Sequence, residues 1–140
     1  MYSGKHKNHG IKYQGICDLG NGKFKSWLGP FYGSIHDKLI FDSTFGNNFP
    51  IKMLGDKAYY GASNIYVPFK GKNLTLIQED YNKFISKNRI IIERSFGRLK
   101  NFRILQYKYK GLIENHKHIA NVLVQIHNIL LEFRPLINNN

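Results

Sequence analysis

Two hydrophobic rhythms follow one another along this chain, and a domain that contains both must lay helices against a sheet. From Ile11 to Cys17 the residues Ile-Lys-Tyr-Gln-Gly-Ile-Cys keep the period of two that suits a strand. Leu19-Gly20-Asn21-Gly22 supplies turn chemistry for a hairpin into a second strand, Lys23 to Leu28, which Gly29-Pro30 closes. Ser34 is the expected N-cap of a short helix, Ile35 to Phe41, with Asp37 in its first turn. Ile51-Lys52-Met53-Leu54 reads as a short buried strand that delivers Asp56 at its tip, after Gly55. Gly61 to Asn73, with Pro68, reads as a loop.

Beyond Thr75 the period becomes 3.6. Thr75 opens a helical segment whose Glu79 and Asp80 suit a helix N-terminus. A further helix is expected over Asn88 to Arg103, with Ile92, Phe96, Leu99 and the stem of Arg103 on its apolar side. The last helix, at about 114–133, is expected to bury Ile119, Val122, Leu123, Ile126, Leu130 and Phe133, and Pro135 ends it. The fold class is therefore α/β, although three strands make a thin sheet for 140 residues. Neither an internal repeat nor a linker divides the chain, so a single domain with one core is expected. Trp27 and Phe31 read as core.

Charge narrows the function. Twenty-one Lys and Arg stand against nine acids, a formal net charge of +12. Such an excess points to a polyanionic partner, nucleic acid ahead of an acidic membrane surface. The alternative is a basic protein whose charge serves only solubility. Cys17 is the sole cysteine, which excludes an internal disulfide and multi-thiolate zinc sites and suits a reducing compartment. Met1 to Lys12 is polar and basic, unlike a signal peptide. Ile119 to Leu131 carries Asn121, Gln125, His127 and Asn128 and is not a membrane span. The expected location is cytoplasmic, at the bacterial nucleoid, or nuclear if the host is eukaryotic, with no membrane partner.

With so few acids, each can be weighed. Asp56 at a strand tip is either a turn-former or a ligand. Glu93 lies among Arg89, Arg94, Arg98, Lys100 and Arg103. It is either half of an i, i+4 ion pair with Arg89 or a metal ligand whose cationic neighbours hold DNA phosphates. His6 and His9 lack a third ligand at zinc-like spacing and read as solvated. Tyr13, Tyr59, Tyr60 and Tyr66 suit either base stacking or the core.

A resemblance decides between these readings. The spacing Arg89, Glu93, Lys100 resembles the last catalytic motif of insertion-sequence transposases, and Asp56-Lys57-Ala58-Tyr59 resembles the motif around their second catalytic aspartate. Tyr2-Ser3-Gly4-Lys5-His6-Lys7-Asn8-His9-Gly10-Ile11-Lys12 is similar to the stretch after their first catalytic strand. Gly33-Ser34-Ile35-His36-Asp37, Arg94-Ser95-Phe96-Gly97-Arg98-Leu99-Lys100 and His127-Asn128-Ile129-Leu130 resemble the bacterial and Harbinger-like DDE branches. The matches run in order from Tyr2 to about Arg134.

The resemblance implies an RNase H-like domain over residues 1–137, lacking its first strand and with it the first catalytic aspartate. It implies Asp56 and Glu93 as catalytic residues and as ligands of Mg2+ or Mn2+, supported by His36, Asp37 and Tyr59. Arg89, Arg94, Arg98, Lys100 and Arg103 become the contacts to double-stranded DNA at transposon ends. Homo-oligomerisation, or association with an upstream transposase fragment, is the further partnership it suggests. In two places the chain departs from the family pattern: Ala58 replaces a glycine, and Ser86 stands where a tyrosine is expected. With one acid missing, strand cleavage and transfer by this chain alone are not expected. The alternative is a non-catalytic DNA-binding protein or repressor derived from a transposase.

Overall fold

The computed structural model describes residues 10–46 and 49–136. Its strands are β1 (Ile11–Cys17), β2 (Phe24–Tyr32), β3 (Met53–Leu54) and β4 (Ile65–Tyr66), and its helices α1 (Asp37–Phe45), α2 (Leu76–Lys100), α3 (Arg103–Gln106) and α4 (Ile113–Phe133). A 3-10 turn covers Lys57–Tyr59 between β3 and β4. The architecture is mixed α/β with two small sheets, β1–β2 antiparallel and β3–β4 parallel. The residues group into two compact units, one running to Ser34 and resuming at Ile91, the other Ile35–Ile90.

In the first unit the hairpin lies against the C-terminal helices. β2 does not stop at Gly29-Pro30 as expected. Lys12 pairs with Phe31 and Gln14 with Leu28, so Gly29 and Pro30 sit as a bulge opposite Tyr13. A bulge is where a strand tolerates a residue with no N–H to donate. The core gathers Phe24, Phe96, Leu99, Leu123 and Val124, with Trp27, Ile92, Phe102, Ile104 and Leu105 packed around them. Phe24 meets Phe96 and Trp27 edge-on, at ring separations of 5.1 and 5.3 Å, the geometry that aromatic quadrupoles favour.

The second unit is built on shorter reach. Here α1 buries Asp37, Ile40 and Phe41, and Phe41 meets Tyr59 edge-on at 6.1 Å. Phe45 and Phe49 extend that aromatic group, 4.7 Å apart. α1 starts at Asp37 with His36, not Ser34, at the N-cap position, and His36 makes no side-chain capping bond. Asp37 instead places its carboxylate in the first turn, where the helix dipole favours it. Within the expected 61–73 loop, Ile65–Tyr66 form β4.

The two helical segments expected after Thr75 are one helix, α2, of 25 residues. Between Thr75 and Lys100 there is no proline, and the single interior Gly97 costs only about 1 kcal/mol. Its start is a capping box: Gln78 N–H donates to Thr75 Oγ1 at 3.3 Å, and Thr75 N–H to Gln78 Oε1 at 3.0 Å. α2 ends at Lys100, so Arg103 belongs to α3 and not to the Glu93 helix.

α4 begins and ends within a residue of expectation, but its inward face is different. The buried residues are His116, Ala120, Leu123, Val124, His127 and Leu131. Of the six expected there, only Leu123 is buried; Ile119, Val122, Ile126, Leu130 and Phe133 are exposed. Hydrogen bonding explains the choice. Tyr13 Oη donates to His116 Nδ1 at 2.7 Å, and His116 Nε2 donates to the Ile104 carbonyl at 3.0 Å. Buried polar groups need partners, and only a face carrying histidines meets them here.

Candidate active site

Asp56 follows β3 directly and caps the 3-10 turn. Its Oδ1 accepts the Ala58 N–H at 2.8 Å, so the turn-forming role is real. Gly55 ahead of it is required by space: a Cβ there would come within 2.6 Å of Ile65 Cγ2. Gly55 N–H meanwhile donates to the Tyr66 carbonyl at 2.9 Å. Strand and turn together present Asp56 half-buried at the end of β3. Tyr59 is buried against Phe41 of α1, so its ring is core. The structure thus groups Asp56, Tyr59, His36 and Asp37 in one unit, with α1 packed on the turn.

Glu93 belongs to the other unit. At about 100° per residue, Glu93 and Lys100 stand about 40° and about 20° round the helix from Arg89. Because α2 is unbroken, all three share one side of it. Glu93 and Lys100 are exposed and Arg89 is half-buried. Arg94 and Arg98 lie elsewhere on the circumference, about 140° and about 180° from Arg89. The five cations therefore do not form one face.

The residues between Glu93 and Lys100 hold the helix in place. Ser95, fully buried, donates from Oγ to the Gly22 carbonyl at 2.7 Å, and His127 Nε2 donates to the same oxygen at 3.2 Å. Gly22 has φ +77, and a Cβ there would lie 2.6 Å from Ser95 Oγ, so the hairpin turn admits only glycine. Asn128 pairs with both backbone groups of Phe24, accepting from its N–H at 2.8 Å and donating to its carbonyl at 3.0 Å. Arg98 donates to the Arg134 and Pro135 carbonyls at 2.7 and 3.3 Å, closing the C-terminal end of α4. Phe96 and Leu99 fill the core.

Nothing in the local sequence marks His116 as buried, and Ser95 and His127 stand inside the family motifs without an assigned role. A histidine followed by an asparagine, within a helix that follows a glycine turn, is the one available signal. Burial lowers the His127 pKa, only partly opposed by its bond to Gly22. Burial also pushes the Cys17 thiol up to about 12, which keeps it protonated and poorly nucleophilic.

Among the described residues, no group of three or more His, Cys, Asp and Glu side chains is placed to hold a metal ion. No described helix is long and apolar enough to cross a membrane. The Tyr2–Lys12 motif lies mostly outside the described residues, as do His6 and His9.

A family model described as DDE superfamily endonuclease matches residues 1–128. The chain is 31% identical, over 151 aligned positions, to a protein of Microchaete diplosiphon called a probable transposase for insertion sequence element IS702. The alignment covers 96% of this chain and 51% of that relative, so the chain spans about half the relative's length. No solved structure matches the chain. Matched by the family model along most of its length, and by this relative along nearly all of it, the chain belongs to the DDE superfamily of endonucleases.

Proposed function

We propose that this chain carries two acids, Asp56 and Glu93, of a divalent-metal centre for DNA strand cleavage and transfer, in an RNase H-like transposase domain. The observation that carries the reading is the division of labour on α2. Glu93 and Lys100 are open to solvent while Ser95, Phe96 and Leu99 between them anchor the helix. A carboxylate held on a braced helix, with cations beside it, suits a hard ion and a phosphodiester. Two carboxylates fit Mg2+ or Mn2+ in chemistry. A bridging third acid would come from the part of the relative that has no counterpart here. The same segment would add a strand to sheets that have two strands each, a number marginal for stability in water.

Duplex DNA, at transposon ends, is the substrate this reading requires. Arg89, Lys100 and Arg103 are the cations best presented to phosphates. Arg94 keeps a buried Nη1 with no hydrogen-bond partner among the described residues, so only part of its guanidinium is open to a phosphate. Arg98, committed to the end of α4, contributes less. His36 and Asp37 support the Asp56 turn from α1.

The test is a fusion of the relative's unmatched segment to this chain, assayed for Mn2+-dependent nicking of duplex DNA. The fusion should nick, and the chain alone should not. Asp56→Asn and Glu93→Gln should each abolish nicking while DNA binding stays within about twofold. Nicking that survives both substitutions overturns the assignment. DNA binding without nicking in the fusion favours the repressor reading instead.

A further inference from the structure

Four tyrosines suit either the core or stacking on bases, and the structure divides them. Tyr13 and Tyr59 are buried. Tyr60 and Tyr66 keep 62% and 42% of their surface open. Each open ring has a lysine beside it. Lys70 Nζ lies 4.6 Å from the Tyr60 ring centroid and Lys52 Nζ 5.6 Å from that of Tyr66, within reach of a cation–π contact. An exposed tyrosine standing singly needs no explanation. Two, each with its own ammonium and both tied to the turn of one acid, call for one.

The backbone around Asp56 fixes both rings. Asp56 is the N-cap of the 3-10 turn and Tyr60 its C-cap, with Tyr60 N–H donating to the Lys57 carbonyl at 3.3 Å. Tyr66 lies opposite Leu54 in the β3–β4 ladder, and its carbonyl accepts the Gly55 N–H at 2.9 Å. The segment that carries Lys70 is held by α2, where Asn82 bonds both backbone groups of Phe69, at 2.8 and 3.2 Å. Residues 51–73 hold four lysines and a single acid, Asp56 itself. Such a surface attracts a polyanion, and its open π-faces select among polyanions. An acidic peptide or a bare phosphate would use the lysines and leave the rings idle. Base pairs within a duplex stack on one another and present only edges and phosphates, so these rings need bases that are unpaired.

We propose that Tyr60 and Tyr66, with Lys70 and Lys52, form a stacking platform for unpaired DNA bases next to Asp56. The platform's place in catalysis rests on the DNA-cleavage reading of Asp56 given above. A strand opened at the phosphate to be cut lays its free bases on these rings, which hold that phosphate near the acid. Tyr60 and Tyr66 are therefore positioning residues.

Binding of the full chain to a labelled oligothymidylate of about 20 nucleotides, read by fluorescence anisotropy without metal, tests the platform. An abasic strand of the same length keeps the phosphates and lacks the bases. The parent should bind the thymidylate at least about tenfold more tightly than the abasic strand. Tyr60→Ala and Tyr66→Ala should each weaken thymidylate binding at least about fivefold. They should leave abasic binding and the salt slope unchanged, and Tyr60→Phe and Tyr66→Phe should bind as the parent does. Lys52→Gln combined with Lys70→Gln should weaken both strands alike. Because no metal is present, a fusion that fails to nick leaves this measurement standing, and a failure here leaves the metal centre standing. Parent binding that ignores the bases, or alanine variants that bind thymidylate as the parent does, overturns the proposal.

Discussion

The two units of this molecule are held by bonds of different reach. In the first, Ser95, His116, His127 and Asn128 each bond to a group distant in sequence, Ser95 across 73 residues and His127 across 105. In the second, Asp56 is fixed by a bond to Ala58, two residues on, beside strands of two residues each. Glu93 therefore rides on a scaffold that many tertiary contacts determine together. Asp56 rides on a local turn. The difference teaches that two acids proposed for one centre need not be equally preorganised, and that Asp56 depends more on what packs around it.

If that contrast is right, core truncation in the first unit should have the largest effect. Phe96→Ala removes a ring buried among Phe24, Trp27 and Leu99 and should cost about 3–5 kcal/mol, read from urea unfolding. A loss below about 1 kcal/mol would mean that the core does not carry the unit. Next in size is a difference in local opening. The Met53 and Gly55 amides, which bond across β3–β4, should exchange with solvent at least about 100-fold faster than those of the β1–β2 ladder. Equal protection would erase the contrast.

The smallest effect concerns pH. His127 has its pKa lowered by burial in the folded state, so the unfolded chain binds more protons as pH falls. Its contribution to stability is complete above the unfolded value of about 6.5 and is lost as pH drops below that. His127→Gln, which keeps a donor toward Gly22, should flatten this part of the stability–pH curve. An unchanged curve would place the proton uptake elsewhere.

Much of the architecture was legible because local signals agree with it. The alternation of Ile11–Cys17, the glycine turn and Thr75 ahead of Glu79 and Asp80 each act within a few residues. Hydrophobic period alone misread α4, since Ile119, Val122, Ile126 and Phe133 form the stronger stripe. What decides its orientation is a carbonyl on Gly22 and a hydroxyl on Tyr13, far away in sequence. The same holds for the Arg89–Lys100 stretch, whose spacing marks Glu93 but cannot reveal that Ser95 and Arg98 serve as anchors. Merging two expected helices into α2 shows the reverse case, where the absence of proline was the better guide than the polar stretch around Asn88.

In the proposed centre Asp56 and Glu93 hold the same divalent ion. Mn2+ affinity of the fusion with the relative's unmatched segment, followed by electron paramagnetic resonance, tests it without requiring turnover. Asp56→Asn and Glu93→Gln should each weaken Mn2+ binding at least about tenfold, and the double variant should lose less than the sum of the two in free energy. Single variants that bind Mn2+ as the parent does, or strictly additive losses, would contradict it.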